Sequence, residues 1–117
     1  MRQMIFEIYK IIDKCNPNII VTEMTVVLRN PAVQRMLTMI LGAVYGKCIA
    51  NNIEYESLRP TEWRKYIEAG KKPKKRDELK KWSKYKVLEI FNIDCINDDL
   101  SDAILIGRAW INHLSNM

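Results

Sequence analysis

Apolar residues recur at helical spacing in the first half of the chain. Residues 2–14 predict an amphipathic helix whose stripe is Ile5, Ile8, Ile12 and Cys15. Residues 31–50 predict a long helix that is apolar nearly all round and begins at an Asn-Pro pair. Because a helix of this kind has two faces to bury, we expect one on a sheet and the other against a partner helix.

Two shorter segments have the pattern of strands. Residues 19–24 form an apolar, β-branched run typical of a strand covered on both faces, and residues 53–58 alternate like a more exposed strand. Glu23 interrupts the first run near its end. The residue could be an edge or paired charge, but strand ends in α/β sheets also bind ligands, and we favour a function here.

Three further helices are predicted in the second half, with a loop among them. Thr61 can cap a short helix to about residue 69, and residues 76–91 and 99–113 predict two more. The loop at 70–75 contains glycine, proline and four lysines. Strands that alternate with helices predict an α/β fold with two parallel strands joined by the long helix.

Composition narrows the classes of function. A chain of 117 residues predicts one domain, and it has no apolar run long enough to span a membrane and no signal peptide at its start. The three cysteines are far apart in apolar surroundings, which predicts reduced core thiols of a cytosolic protein. His113 is the only histidine, which argues against a Ser-His-Asp triad or a histidine-rich metal site.

Charge is concentrated in one segment. The net charge is +5, but residues 71–86 carry nine Lys or Arg against two acids, so this segment is +7 and the remainder is −2. Such a block predicts a surface that faces a polyanion, and we expect its lysines to contact phosphate, with Trp82 as an anchor beneath them.

Two carboxylates stand at the head of the last helix. Asp99 and Asp102 lie about 60° apart on one helical face, which Ile106, Ala109 and Trp110 continue as a stripe expected to be buried. One interpretation is a helix cap by Asn97 or by the aspartate after it, with the other acids at the positive end of the dipole. The other is a site for Mg²⁺ or Mn²⁺, which prefer hard oxygen ligands. These residues alone leave both open, although acidic metal ligands beside a basic strip are what a nuclease needs.

Three short segments, taken in order along the chain, resemble the sequences of a known family. They are Pro17-Asn-Ile-Ile-Val-Thr-Glu23, Leu58-Arg-Pro-Thr-Glu-Trp-Arg-Lys65 and Asp98-Asp-Leu-Ser-Asp-Ala-Ile104. With the basic loop-helix at 70–86, they resemble the RuvC-type Holliday-junction resolvases of the RNase H-like superfamily, in particular the short resolvase-like proteins of phages from Gram-positive bacteria. The resemblance spans nearly all of the chain.

The resemblance implies a fold and a metal site. The expected fold is α/β and RNase H-like, restricted to the C-terminal two-thirds of that fold, with two parallel strands and four to five helices in one partial domain, 1–117. Family members hold two divalent ions, Mg²⁺ or Mn²⁺, with four acidic ligands. By position, Glu23 matches the acid of the later strand, and Asp99 and Asp102 match the pair on the last helix, so all three are expected to bind metal and to be catalytic.

The resemblance also implies a substrate and partners. The expected activity is Mg²⁺-dependent nicking of four-way or branched DNA by a homodimer that associates through helix 31–50, in the cytoplasm of a bacterial or phage-infected cell. The DNA backbone is expected to contact the cations of the loop-helix: Lys71, Lys72, Lys74, Lys75, Arg76, Lys80, Lys81 and Lys84.

One family feature has no counterpart in this sequence. The first acid of the family lies in a Gly-x-Asp strand that opens a three-strand meander, and this chain begins after the position of that meander. We therefore expect a fragment or shortened reading frame that is inactive by itself. The alternative is a non-catalytic DNA-binding or dimerisation module derived from a resolvase.

Overall fold

The computed structural model describes residues 1–24 and 30–117, which contain five helices and two strands. In chain order they are α1 (Arg2–Cys15), β1 (Ile19–Glu23), α2 (Pro31–Asn51), β2 (Glu54–Leu58), α3 (Pro60–Ile67), α4 (Arg76–Phe91) and α5 (Asp98–Ser115). The predicted order and type of the elements are confirmed. The chain divides into two compact units, residues 1–57 and 58–117. Within the described ranges, no helix is both long and apolar enough to cross a membrane.

The two strands form a parallel pair. The hydroxyl oxygens of Thr22 and Tyr55 lie 2.8 Å apart across the pair, within hydrogen-bond distance. In β2, exposed Glu54 and Glu56 alternate with half-buried neighbours, as the pattern predicts. In β1, however, residues 19–22 are only half-buried, so the expectation of a strand covered on both faces is wrong for this unit. A sheet of two strands offers too little surface to cover apolar side chains on both sides.

The first unit is built on α1 packed against α2. The N-terminus of α2 is capped by the Asn30 side chain, which accepts hydrogen bonds from the backbone N–H groups of Ala32 and Val33 at 3.0 and 3.4 Å. Pro31 follows at the first helical position, where its missing N–H costs nothing. The helix ends at Asn51, and the residue that caps it, Asn52, has a left-handed φ of 56°. Both boundaries follow from local sequence signals.

Only one face of α2 is buried within this unit. Val44 and Cys48 are buried, and the Tyr9 hydroxyl of α1 donates a hydrogen bond to the Ala43 carbonyl at 2.8 Å. The remaining large apolar side chains of α2 include several that are exposed: Val33, Met36, Met39, Tyr45 and Ile49. These side chains are spread around the rest of α2, so among the described residues the apolar surface that was expected to meet a partner is exposed.

The second unit is built around α5, which packs against α3 and α4. Its core contains fully buried Trp63, Val87 and Leu105, and the indole rings of Trp63 and Trp82 lie 6.4 Å apart. Burial of an indole and two aliphatic side chains supplies the apolar area that stabilises three short helices. This unit carries Asp99 and Asp102 together with the basic residues selected from the sequence.

Two local predictions are wrong. Thr61 does not cap α3, because the helix begins at Pro60 and the Glu62 carboxylate accepts a hydrogen bond from the Arg59 backbone N–H at 3.2 Å. Cys15 is not a core thiol: it is exposed, although Cys48 and Cys95 are buried. All three thiols are free, in agreement with the expected absence of disulfides.

A lysine of the basic segment is buried in the second unit. Lys86 is 8% exposed, and its ammonium lies 2.8 Å from the Glu68 carboxylate and 3.4 Å from Glu89. The hydrogen bond from Lys86 lowers the pKa of Glu68, and the same contact raises the pKa of Lys86. The pair joins the residue that follows α3 to the middle of α4.

We predict that Glu68→Gln destabilises the chain more at neutral pH than in acid. A carboxylate with a lowered folded-state pKa contributes stability above its ordinary pKa, and that contribution is lost as pH falls through the lowered value. Urea unfolding at pH 7 and pH 3 measures the difference from wild type, which should shrink in acid. Glu78→Gln is the matched control, since Glu78 is exposed on α4 and no cation lies within 4 Å in the described chain. An equal deficit at both pH values would contradict the prediction.

Candidate metal centre and nucleic-acid interface

The start of α5 is fixed by Asn97. Its side-chain oxygen accepts a hydrogen bond from the Leu100 backbone N–H at 2.9 Å, and its carbonyl accepts bonds from the N–H and the hydroxyl of Ser101 at 3.0 and 2.9 Å. Ser101 is completely buried. Of the two residues proposed as the cap, Asn97 is therefore the one that serves, which leaves the three following acids for other contacts.

Asp99 and Asp102 follow one turn apart on α5. The buried stripe below them is confirmed for Ile106 and Ala109, whereas Trp110 is only half-buried. The pair itself is not buried as expected: Asp99 is exposed and Asp102 is half-buried. Their place in the first turns puts them beyond the apolar core, so solvent reaches both.

The chemistry of these two carboxylates fits a hard divalent ion. In the described chain, no Lys, Arg or His nitrogen lies within 4 Å of Asp99 or Asp102, whereas their neighbour Asp98 is paired. Their oxygens are therefore not committed to a protein cation, and carboxylate oxygens are preferred ligands of Mg²⁺ and Mn²⁺. Two carboxylates can contribute to a metal site but do not complete one.

The third predicted ligand, Glu23, is the last residue of β1 and is exposed. It lies in the first unit, and the two aspartates lie in the second. Across residues 1–24 and 30–117, no three His, Cys, Asp or Glu side chains form a group that could hold a metal ion. The shared metal site of Glu23, Asp99 and Asp102 stays a prediction.

Asp98, the first residue of α5, contacts α4 instead. Its carboxylate lies 2.8 Å from the Lys84 ammonium and 3.4 Å from that of Lys80. These lysines, with the hydrogen bond from Lys84 as the main cause, hold the pKa of Asp98 below its ordinary value. The basic helix and the acidic helix are therefore joined by an ion pair at the start of α5.

The cations of the basic segment differ in what they contact. Lys72 is half-buried, donates a hydrogen bond to the Gly70 carbonyl at 2.8 Å and lies 5.9 Å from the centre of the Trp82 ring. Gly70 has a φ of 102°, a conformation that favours glycine and starts the loop. Trp82 is half-buried beneath this charge, which confirms its predicted role as an anchor.

A second group of cations faces solvent. Five of them are exposed, and within the described ranges no carboxylate lies within 4 Å of any: Lys71, Lys74, Lys75, Arg76 and Lys81. Exposed cations without an acidic neighbour keep their full charge for an external anion. Among the described residues, the eight predicted DNA contacts thus separate into five cations without an acidic partner, called the free cations below, and three that have internal partners.

Sequence reasoning missed the roles of Asp98 and Lys86. The spacing of Lys80 and Lys84 did carry a signal, because residues four apart share a helical face. Nothing in the sequence said which acid that face would meet. The sequence does not indicate that Lys86 is buried, because it is one of nine Lys or Arg in residues 71–86 and the others are exposed or half-buried.

Comparison with known proteins supports the fold. No family profile and no curated protein matches the sequence. Three solved chains match, and one of them is T. thermophilus RuvC in complex with Holliday junction substrate, with a TM-score of 0.76 at 12% sequence identity. The match covers 97% of this chain but only 66% of the RuvC chain, so this chain spans less than two thirds of the length of RuvC. At this identity the likeness establishes the fold alone: the chain has the α/β, RNase H-like fold of RuvC over the part that it spans.

Proposed function

We propose that the chain is part of a structure-selective, metal-dependent endonuclease that nicks four-way or branched DNA. One observation carries the proposal: a set of free cations and two uncommitted carboxylates lie in the same folded unit. The fold adds support, because the solved RuvC that it resembles was captured with a Holliday junction substrate. The segments quoted from the sequence favour a phage-type resolvase that works in the cytoplasm of a bacterial or phage-infected cell.

The proposed division of labour follows from the residues. Asp99 and Asp102, with Glu23, would hold Mg²⁺ or Mn²⁺, and the five free cations of the loop-helix would bind the DNA backbone. When bound, the metal would supply an activated water and neutralise charge at the phosphate. Asp99 is exposed and Asp102 is half-buried, so a backbone phosphate has room to approach them.

The proposed oligomer is a homodimer that associates through α2. A four-way junction is nearly two-fold symmetric, so paired nicks call for a two-fold dimer. The exposed apolar face of α2 supports this, because such patches commonly mark interaction sites. Next to that face, α1 and Met39 line an apolar groove of about 360 Å³.

We predict that, in a form of the protein that also supplies the first acid of the family, Asp102→Asn abolishes nicking of a four-way junction but leaves junction binding intact. Removal of a ligand that holds the metal would weaken the charge stabilisation that the metal supplies at the reacting phosphate, which should lower the rate by about 10²–10³-fold. Gel assays in Mg²⁺ measure nicking, and binding is measured in Ca²⁺. Asp94→Asn is the control, since Asp94 is exposed just before α5 and has no cation within 4 Å among the described residues.

Two outcomes would count against the nuclease. Unchanged nicking by Asp102→Asn would remove this aspartate from the site. Junction binding without any nicking in Mg²⁺ or Mn²⁺ by a form that supplies the first acid would favour the non-catalytic DNA-binding module.

We predict that the exposed lysines set the salt dependence of DNA binding. The double variant Lys74→Gln, Lys75→Gln should make the plot of log affinity against log salt shallower by about 1.8, since each lost phosphate contact contributes about 0.9. Fluorescence anisotropy with a duplex or junction measures the slope.

The matched control for this experiment is Lys14→Gln, Lys65→Gln. Both lysines are exposed, lie outside the basic segment and have no acid within 4 Å in the described part of the chain. An equal change in both double variants would contradict a localised interface. A wild type with no salt-dependent affinity would favour a dimerisation remnant.

We predict that Met39→Lys shifts the chain toward monomer. A charge on the exposed face of α2 would be buried without a partner in the proposed dimer. Sedimentation velocity across a concentration series measures the shift, and Leu88→Lys, on an exposed position of α4, is the control. A wild type that is monomeric at every concentration would contradict the dimer.

A further inference from the structure

Asp98 forms ion pairs with Lys80 and Lys84. These ion pairs suggest a role for the three residues other than binding DNA or metal. One carboxylate contacts two ammonium groups, Lys84 at 2.8 Å and Lys80 at 3.4 Å. The two lysines lie one turn apart on α4 and therefore share a face. All three side chains are about one-third exposed, so solvent does not fully screen the contact.

We propose that Asp98 is a positioning residue that ties α4 to the head of α5, with Lys80 and Lys84 acting as the tether and not as phosphate contacts. The inference rests on the proposed function, in that the head of α5 carries the predicted metal ligands. It deepens that function by reducing the DNA-binding set and by adding a residue that acts through Asp99 and Asp102.

The first argument is the distribution of packing along α5. The first buried apolar residue of α5 is Leu105, which lies about two turns after Asp98. The hydrogen bonds of Asn97 and buried Ser101 run to the backbone of the helix start itself. The Asp98 ion pairs are the polar contacts that join the first turn of α5, where Asp99 lies, to the basic helix.

The second argument is competition for the lysine charges. A DNA phosphate would have to displace the Asp98 carboxylate before it could pair with Lys80 or Lys84. The five exposed cations nearby have no acid to displace in the described chain. A phosphate therefore binds the five exposed cations at a lower free-energy cost than Lys80 or Lys84. We expect these two lysines to keep Asp98 as their partner in the DNA complex.

The first experiment compares salt slopes. The double variant Lys80→Gln, Lys84→Gln should leave the slope of log DNA affinity against log salt unchanged, whereas Lys74→Gln, Lys75→Gln makes it shallower by about 1.8. A slope that falls by the same amount in both, together with tighter binding by Asp98→Asn, would overturn the proposal. Asp98 would then be a competitor of the DNA phosphate.

The second experiment measures the head of α5 directly. Asp98→Asn should speed hydrogen exchange of the backbone amides at 100–102 and weaken Mn²⁺ binding, measured by electron paramagnetic resonance, by about 10-fold, the low end for residues that orient metal ligands. Asp98→Glu should restore both. Removing the tether lysines as well as Asp98 should add nothing further, because the three residues act as a unit.

The control for the second experiment is Asp77→Asn. Asp77 lies in the first turn of α4, is exposed and has no cationic partner within 4 Å among the described residues, so its loss removes the same charge without a tether. Unchanged exchange and unchanged Mn²⁺ affinity in Asp98→Asn would overturn the positioning role. If the wild type binds neither DNA nor Mn²⁺, the proposed function fails, while faster exchange in Asp98→Asn still supports the tether.

Discussion

The packing of α5 against α3 and α4 is the contact on which the second unit depends. Trp63, Val87 and Leu105, one from each helix, are completely buried in this core. Because most of the stability of a protein helix comes from the packing of its apolar face, each of these helices depends on the others. The same packing brings the acidic start of α5 and the basic surface of α4 into one folded unit, and any function that combines them rests on this core.

Electrostatics then divides the basic segment into parts with different roles. Lys86 is buried and paired with Glu68, and Lys80 and Lys84 are paired with Asp98. Only the remaining exposed cations present charge that an external anion meets without competition. A net charge of +7 over residues 71–86 therefore overstates the binding surface, because part of that charge is neutralised by acids from other parts of the unit.

Several features could be predicted because their causes are local. The Asn-Pro start of α2 determined its N-terminus, and Asn97 was one of two caps proposed for α5. Helical and alternating periodicity was sufficient to place the seven elements. Predictions failed where burial depended on distant residues: Cys15 continues the stripe of α1 but is exposed, and Asp99 lies at the head of a buried stripe but faces solvent. Periodicity gives the direction of a side chain, not how far the core extends beneath it.

The sequence by itself determined the order of helices and strands, the α/β class, the location of the basic segment and the acidic head of the last helix. Each of these depends on neighbours within a few residues, through capping, turn chemistry and the spacing of apolar positions. Only the tertiary structure decided which cations are free, which acid holds Lys80 and Lys84, and that Lys86 is buried. Charge interactions fall off with distance in space and depend on burial, and helix packing sets both for residues that are far apart in the sequence.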